Sequence, residues 1–168
     1  MNTSRGFSLI ETVFALSILL VVALGLLPLG AIAVGTTENQ GHLEARVTEY
    51  AQDKLEQLMA LAYGDSISDT RVFPATTVGG SGLTVGGNAD PSAVPIDLYA
   101  DYLDINGTLI PSAGGVPPAN WFYKRVWQVE LPSVNLKRIT VTAVTRSQVG
   151  NLGRMPRTTV VVLKTSPF

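Results

Sequence analysis

Apolar side chains are spread unevenly over the 168 residues. From Thr12 to Thr37 no charged side chain occurs. At 1.5 Å rise per residue that run predicts a helix of roughly 39 Å, enough for a hydrocarbon core of about 30 Å. Beyond Glu38 the pattern becomes amphipathic. Leu43, Val47, Ala51, Leu55, Leu58 and Ala62 recur at spacings of three and four, with Tyr50 and Met59 widening the stripe. Glu44, Glu49, Asp53 and Glu56 mostly occupy the remaining positions, and Gly64 suits the residue that ends a helix. One helix from about Phe7 to Ala62 is expected, lipidic in its first half and amphipathic in its second. The stripe reads as a packing face.

Gly64 to Asn120 is rich in glycine and proline and reads as loop. Its glycine runs make no dinucleotide fingerprint, because no strand pattern precedes them and no helical pattern follows. Tyr102-Leu103-Asp104-Ile105 and Thr108-Leu109-Ile110 flank Asn106-Gly107, a strong hairpin signal. Asp97, Asp101, Asp104 and Asn106 gather oxygen atoms there. A calcium loop would also need an acidic residue at its end, which is missing, so the hairpin with a solvated acidic rim is the better reading.

Trp121–Leu131, Leu136–Thr145 and Thr158–Lys164 are rich in Val, Thr, Ile and aromatics, and predict an antiparallel meander. Alternation places Trp121, Tyr123, Trp127, Val129 and Leu131 on one face of the first strand, with Arg125 the exception. Ile139, Val141 and Ala143 share a face of the second. Both tryptophans read as core. A sheet with one apolar face needs a cover, and the amphipathic helix supplies it. The expected fold class is α+β: a long N-terminal helix packed on a C-terminal antiparallel sheet of about three strands, with a Gly/Pro-rich connecting region. In that fold Arg125 must reach Asp53 or Glu56 across the seam, while Lys124 points outward to solvent or an adjacent subunit.

Net charge is −1, but its distribution is bipolar. Between Thr36 and Asp104 eleven acids face three bases, a net of −8, and from Ile105 onward eight bases face Glu130 alone, a net of +7. The asymmetry predicts pairing of helix with sheet, or of one subunit with the next. A nucleic-acid patch centred on residues such as Lys137 and Arg138 is the weaker alternative. There is no cysteine and a single histidine, His42. No nucleophile elbow, phosphate loop or zinc motif occurs. No enzyme activity, cofactor or metal is expected.

The N-terminus carries the most specific pattern. An ordinary secretory signal has a basic n-region and a shorter apolar core; here Arg5 is the only leader base, and Ala31-Ile32-Ala33 merely imitates a cleavage site. A retained anchor fits better. A carboxylate within a transmembrane segment costs about 2.5–3.5 kcal/mol on insertion scales, so Glu11, at the front edge of the run, calls for a role.

Gly6-Phe7-Ser8-Leu9-Ile10-Glu11, after a short polar leader and before an apolar helix, resembles the cleavage and methylation motif of type IV pilins and pseudopilins. The resemblance covers roughly the first 60 residues. It implies that a prepilin peptidase cuts between Gly6 and Phe7 and methylates Phe7, and that Glu11 neutralises the amine of a neighbouring subunit during filament assembly. It implies too that Pro28, which removes a helical hydrogen bond to Leu24, marks a soft point in the helix. Thr12-Val13-Phe14-Ala15-Leu16 and Tyr50 to Leu58 look most like PilV-type minor pilins, and somewhat less like the I-type minor pseudopilins of type II secretion. Such subunits act in filament initiation or at the tip. A major pilin and a DNA-uptake or adhesive pilin stay open.

The expected organisation is a leader peptide at 1–6, a transmembrane and filament-core helix at 7–35, and an amphipathic helix at 36–63. A loop-rich region with a hairpin follows at 64–120, and a sheet at 121–168. The implied partners are other pilin subunits, the prepilin peptidase, inner-membrane assembly machinery and the lipid bilayer. The implied location is the inner membrane, with the C-terminal domain outside the cytoplasm and later in a surface or periplasmic filament.

Overall fold

The computed structural model describes residues 8–112, 116–146 and 155–166. The chain is α+β. Among the described residues one helix, α1 (Leu9–Ala60), precedes six strands: β1 (Gly86–Gly87), β2 (Ala100–Leu103), β3 (Leu109–Ile110), β4 (Tyr123–Ser133), β5 (Leu136–Thr145) and β6 (Arg157–Thr165). Two compact units divide it, Met1–Asn39 and Gln40–Phe168.

In the first unit, Ser8 caps α1 by accepting the Ile10 amide on Oγ at 3.3 Å, which satisfies one of the orphan donors of a helix start. Glu11 stands in the first turn, where the helix dipole favours an anion. The helix runs unbroken through Pro28. The hydroxyls bond back to their own helix: Thr12 Oγ1 to Leu9 O at 2.8 Å, Ser17 Oγ to Val13 O at 2.8 Å and Thr37 Oγ1 to Ala33 O at 2.9 Å. They therefore present no bare donor to an apolar surrounding.

In the second unit the sheet order is β3-β2-β4-β5-β6, all neighbours antiparallel, and β1 pairs with β4 on the edge that β2 also uses. The expectation of about three strands is too low. The meander β4-β5-β6 is present, but the connecting region adds β1 to β3. Alternation is weak in such short segments, and their strand character comes from pairing with β4. Gly86-Gly87 can pair there because a Cβ on Gly87 would run into the Trp127 carbonyl oxygen and the Tyr99 ring, and because its φ of 82° suits glycine. The predicted hairpin forms between β2 and β3, with Gly107 at φ 85°.

Residues of α1 from Leu43 to Met59 cover one face of the sheet. Val47, Tyr50 and Ala51 pack with Leu103, Tyr123 and Ala143; Leu58 packs with Trp127, Val129, Ile139 and Val141. The Tyr50 and Tyr123 rings meet edge-on at 4.8 Å. The helix stops at Ala60, two residues earlier than the stripe suggested, and Ala62 is exposed.

Two assignments to the inner face of β4 need correction. Leu131 is 48% exposed. Trp121 precedes the strand and lies over Tyr102, centroid to centroid at 5.9 Å. Tyr102 is the register partner of Lys124, so Trp121 sits on the face opposite Tyr123 and Trp127.

Candidate functional site

Among the described residues one segment, Leu9–Gly35, is long and apolar enough to cross a membrane, with its 27 residues spanning about 40 Å as a helix. Its large side chains, from Leu9 through Phe14 to Val34, are exposed. A surface of that kind is unstable in water and needs lipid or protein around it. Glu11 is the only charged residue within it. Gly6 and Phe7, the cleavage and methylation pair, lie outside the described residues; Glu11 and Pro28 both stand inside the apolar segment of α1.

The second unit holds a buried ionic network that the sequence disclosed only in part. Arg125 does cross the seam, its Nη1 donating to Asp53 Oδ2 at 2.9 Å. Its main partner, however, is Asp101 on β2, gripped by two parallel bonds from Nε at 2.7 Å and Nη2 at 2.8 Å. Asp101 is 1% exposed, so the acidic rim expected at the hairpin is not solvated there. Its Oδ2 also takes an ion pair from Lys54 Nζ at 2.7 Å.

Lys54 is fully buried on α1. Its three donors have three acceptors, in Asp101, Gln57 Oε1 at 3.0 Å and the Thr70 carbonyl, and its ammonium lies 4.6 Å from the Trp127 ring centroid. Burial pulls the Lys54 pKa down to about 8, against the opposing attraction of Asp101. Burial pushes the Asp101 carboxyl up, but Arg125 and then Lys54 outweigh it and hold it below the usual carboxylate range.

Lys54 was missed because stripes are normally traced through apolar residues. Val47, Ala51, Lys54 and Leu58 form a run of spacings four, three and four, and that spacing alone places the lysine in the core.

The other acids of the calcium-like cluster are committed separately. Asp97 pairs with Arg71 at 3.0 Å, and Asp104 accepts the Asn106 and Thr108 amides of the turn at 2.8 Å each. Among the described residues no group of three metal-ligating side chains occurs.

The basic strands turn inward more than their charge suggested. Lys164 donates to Met59 O at 2.6 Å and Leu61 O at 2.5 Å. Lys137 donates to Tyr63 O at 2.6 Å and Leu83 O at 2.8 Å, over the Tyr63 ring. Two lysines from β5 and β6 thus hold the C-terminal carbonyls of α1 and the segment just beyond it, where the last turn carries no base of its own. Lys124, expected to point to solvent, is half-buried and donates to Pro91 O. Arg138 pairs with Glu130 at 2.8 Å on the surface.

Comparison with known proteins adds one match. The family model described as the prokaryotic N-terminal methylation motif matches residues 1–27. No curated protein and no solved structure matches the chain. The matched motif and the apolar helix behind it support a membrane-anchored, type IV pilin-like or pseudopilin subunit. The motif implies processing by a prepilin peptidase and assembly with other pilins.

Proposed function

We propose that the chain is a structural, non-enzymatic minor subunit of a type IV pilus, of the PilV type, acting in filament initiation or tip assembly. The observation that carries this reading is the methylation motif over residues 1–27, with Glu11 at the head of an apolar span of 27 residues. Residues 1–6 act as leader and residues 7–35 as membrane anchor and filament-core helix. Residues 36–63 carry the amphipathic part of α1, which ends at Ala60, residues 64–120 the connecting region with β1 to β3, and residues 121–168 the β4–β6 meander of the domain carried outside the cytoplasm.

Cleavage between Gly6 and Phe7 creates a cationic amine at the helix start, beside an apolar surface that disfavours isolated charge. Glu11 of the neighbouring subunit supplies the counter-charge, which rewards side-by-side docking of two helices in the bilayer. Pro28, with Gly25 and Gly30 near it, lowers the cost of bending or opening α1 when a subunit leaves lipid for the filament.

Mass spectrometry of membrane-extracted protein tests the reading. An N-terminal methyl-Phe peptide beginning Phe7-Ser8-Leu9-Ile10-Glu11 is expected; full-length chains alone, or an N-terminus near Val34, would overturn it. Glu11→Ala should leave membrane insertion intact and reduce co-purification with partner pilins, and undiminished co-purification would remove the pairing role.

A further inference from the structure

We propose that a second copy of this chain docks head to tail on residues 40–166: the acidic groove beside α1 of one copy receives the basic rim around Trp121 of the next. The groove has a volume of about 530 Å³ and lies between α1 and the β2–β3 hairpin. Glu49, Asp53 and Glu56 line it at helical spacing, all exposed, and Phe73, 71% exposed, stands on its wall beside Leu109. Arg125 reaches its floor but is already satisfied by Asp53 and Asp101, and Arg46 engages Glu49 only at 3.5 Å on the surface. The groove therefore keeps an acidic rim and an exposed aromatic ring.

A second cavity of about 410 Å³ has the opposite character. Among the described residues, Trp121, Val144 and Met155 give it apolar walls, Lys124, Arg146 and Arg157 give it three cations, and no acid lines it. Lys124 and Arg146 lie against the Trp121 ring at 5.9 and 5.3 Å, and Arg157 pairs with no described residue. Each site lacks what the other has. Acids and a projecting phenyl ring face cations and an apolar hollow large enough to take that ring.

Chain alternation decides the symmetry. Arg125 opens into the first site and its strand neighbour Lys124 into the second, so the two lie on opposite faces of β4. A contact between different faces does not make a two-fold dimer; it either closes into a ring or adds copies one after another. Exposed ion pairs are individually weak, about 0–1 kcal/mol each. Copies held in one membrane meet at high effective concentration, so weak pairs suffice. The contact deepens the pilin-like reading by naming the faces through which copies meet, and its residues, 49–157, lie outside the methylation motif, so the two can fail separately.

The chain has no cysteine, which makes paired cysteines a clean probe. Gln52→Cys in one full-length copy and Met155→Cys in a second, distinguished by tag size and co-expressed in membranes, retain every charge. Under mild oxidation the mixed pair should exceed either like pair by about fivefold, and Arg157→Glu on the Met155→Cys copy should remove most of that excess. Adding Glu56→Lys to the Gln52→Cys copy should restore it. Like pairs as abundant as the mixed pair, or a yield indifferent to charge reversal, would overturn the proposal. Both reversed residues are exposed. Tryptophan-fluorescence melting of each variant separates lost docking from lost folding, and the methyl-Phe peptide from the same membranes reports the pilin-like reading independently.

Discussion

Lys54 Nζ lies 2.7 Å from Asp101 Oδ2 with both side chains essentially sealed from solvent, joining α1 to β2 through a buried ion pair. Arg125 holds the same carboxylate from β4 and reaches Asp53 back on α1. Lys54, Arg125, Asp101 and Asp53 together are neutral, which is what lets the cluster exist at the core of the unit. Its shape is lopsided, because one buried carboxylate serves two buried cations.

That lopsidedness predicts unequal costs. Removing Asp101 leaves Lys54 and Arg125 buried with only the half-exposed Asp53 between them. Asp101→Ala should destabilise the unit by about 3–5 kcal/mol. Lys54→Met leaves the two-bond Arg125–Asp101 grip and the Asp53 contact intact and fills the site with an apolar chain of similar length, so its cost should be far smaller. Thermal unfolding of the detergent-solubilised full chain, followed by fluorescence of Trp121 and Trp127, measures both. Equal losses would show that Asp101 is not the shared anchor.

The architecture was legible where side chains repeat with a clear period over many residues. The uncharged run to Thr37, the helical stripe from Leu43 to Met59 and the alternation of β4 and β5 all lead to an α+β chain with a helix covering a sheet. Arg125 betrayed a seam contact by breaking the alternation. What stayed hidden was set by pairing at a distance. β1 exists because β4 offers it an edge, the docking of the predicted hairpin strand β2 on that same edge is not written in its own residues, and Asp101 reads as a surface acid until that pairing turns it inward beside Arg125. Lys54 was hidden by its charge, although its spacing from Ala51 and Leu58 was that of a core residue. Trp121 was misplaced because β4 begins two residues after it, at Tyr123, and alternation says nothing beyond a strand end.

The pH dependence follows from the same pair. Folding lowers the Lys54 pKa from 10.5 to about 8. Between those values the unfolded chain binds a proton that the folded chain does not, so this residue's contribution makes stability rise with pH across that window. Asp101 behaves oppositely on the acid side. Its folded value is depressed, so the stability it gives is complete above the normal carboxylate range and is lost as pH falls below that range through the lower folded value. The difference in melting temperature between the native chain and Lys54→Met should therefore shift in favour of the native chain from pH 8 to pH 10, as pH alone is varied about the value of ~8. A pH-independent difference would mean that Lys54 enters the fold without desolvation.

The lysines of β5 and β6 give the last test, and it separates structural from nucleic-acid roles for the basic strands. Lys164 and Lys137 donate to the carbonyls of Met59, Leu61 and Tyr63, groups that no further helical turn can satisfy. Hydrogen bonds from a charged donor are worth about 1.5–3 kcal/mol, and the helix dipole adds to their value at this end. Lys164→Met and Lys137→Met should each lower the melting temperature and speed amide exchange in the last turn of α1, from Gln57 to Ala60, while Arg138→Ala, which breaks only a surface pair with Glu130, should change neither measurably. On immobilised DNA, Lys137→Met should matter only as far as it unfolds the chain, because its ammonium is already committed to Tyr63 and Leu83. A Lys137→Met chain that melts like the native one but loses DNA retention would reverse that assignment and make the lysine a phosphate ligand.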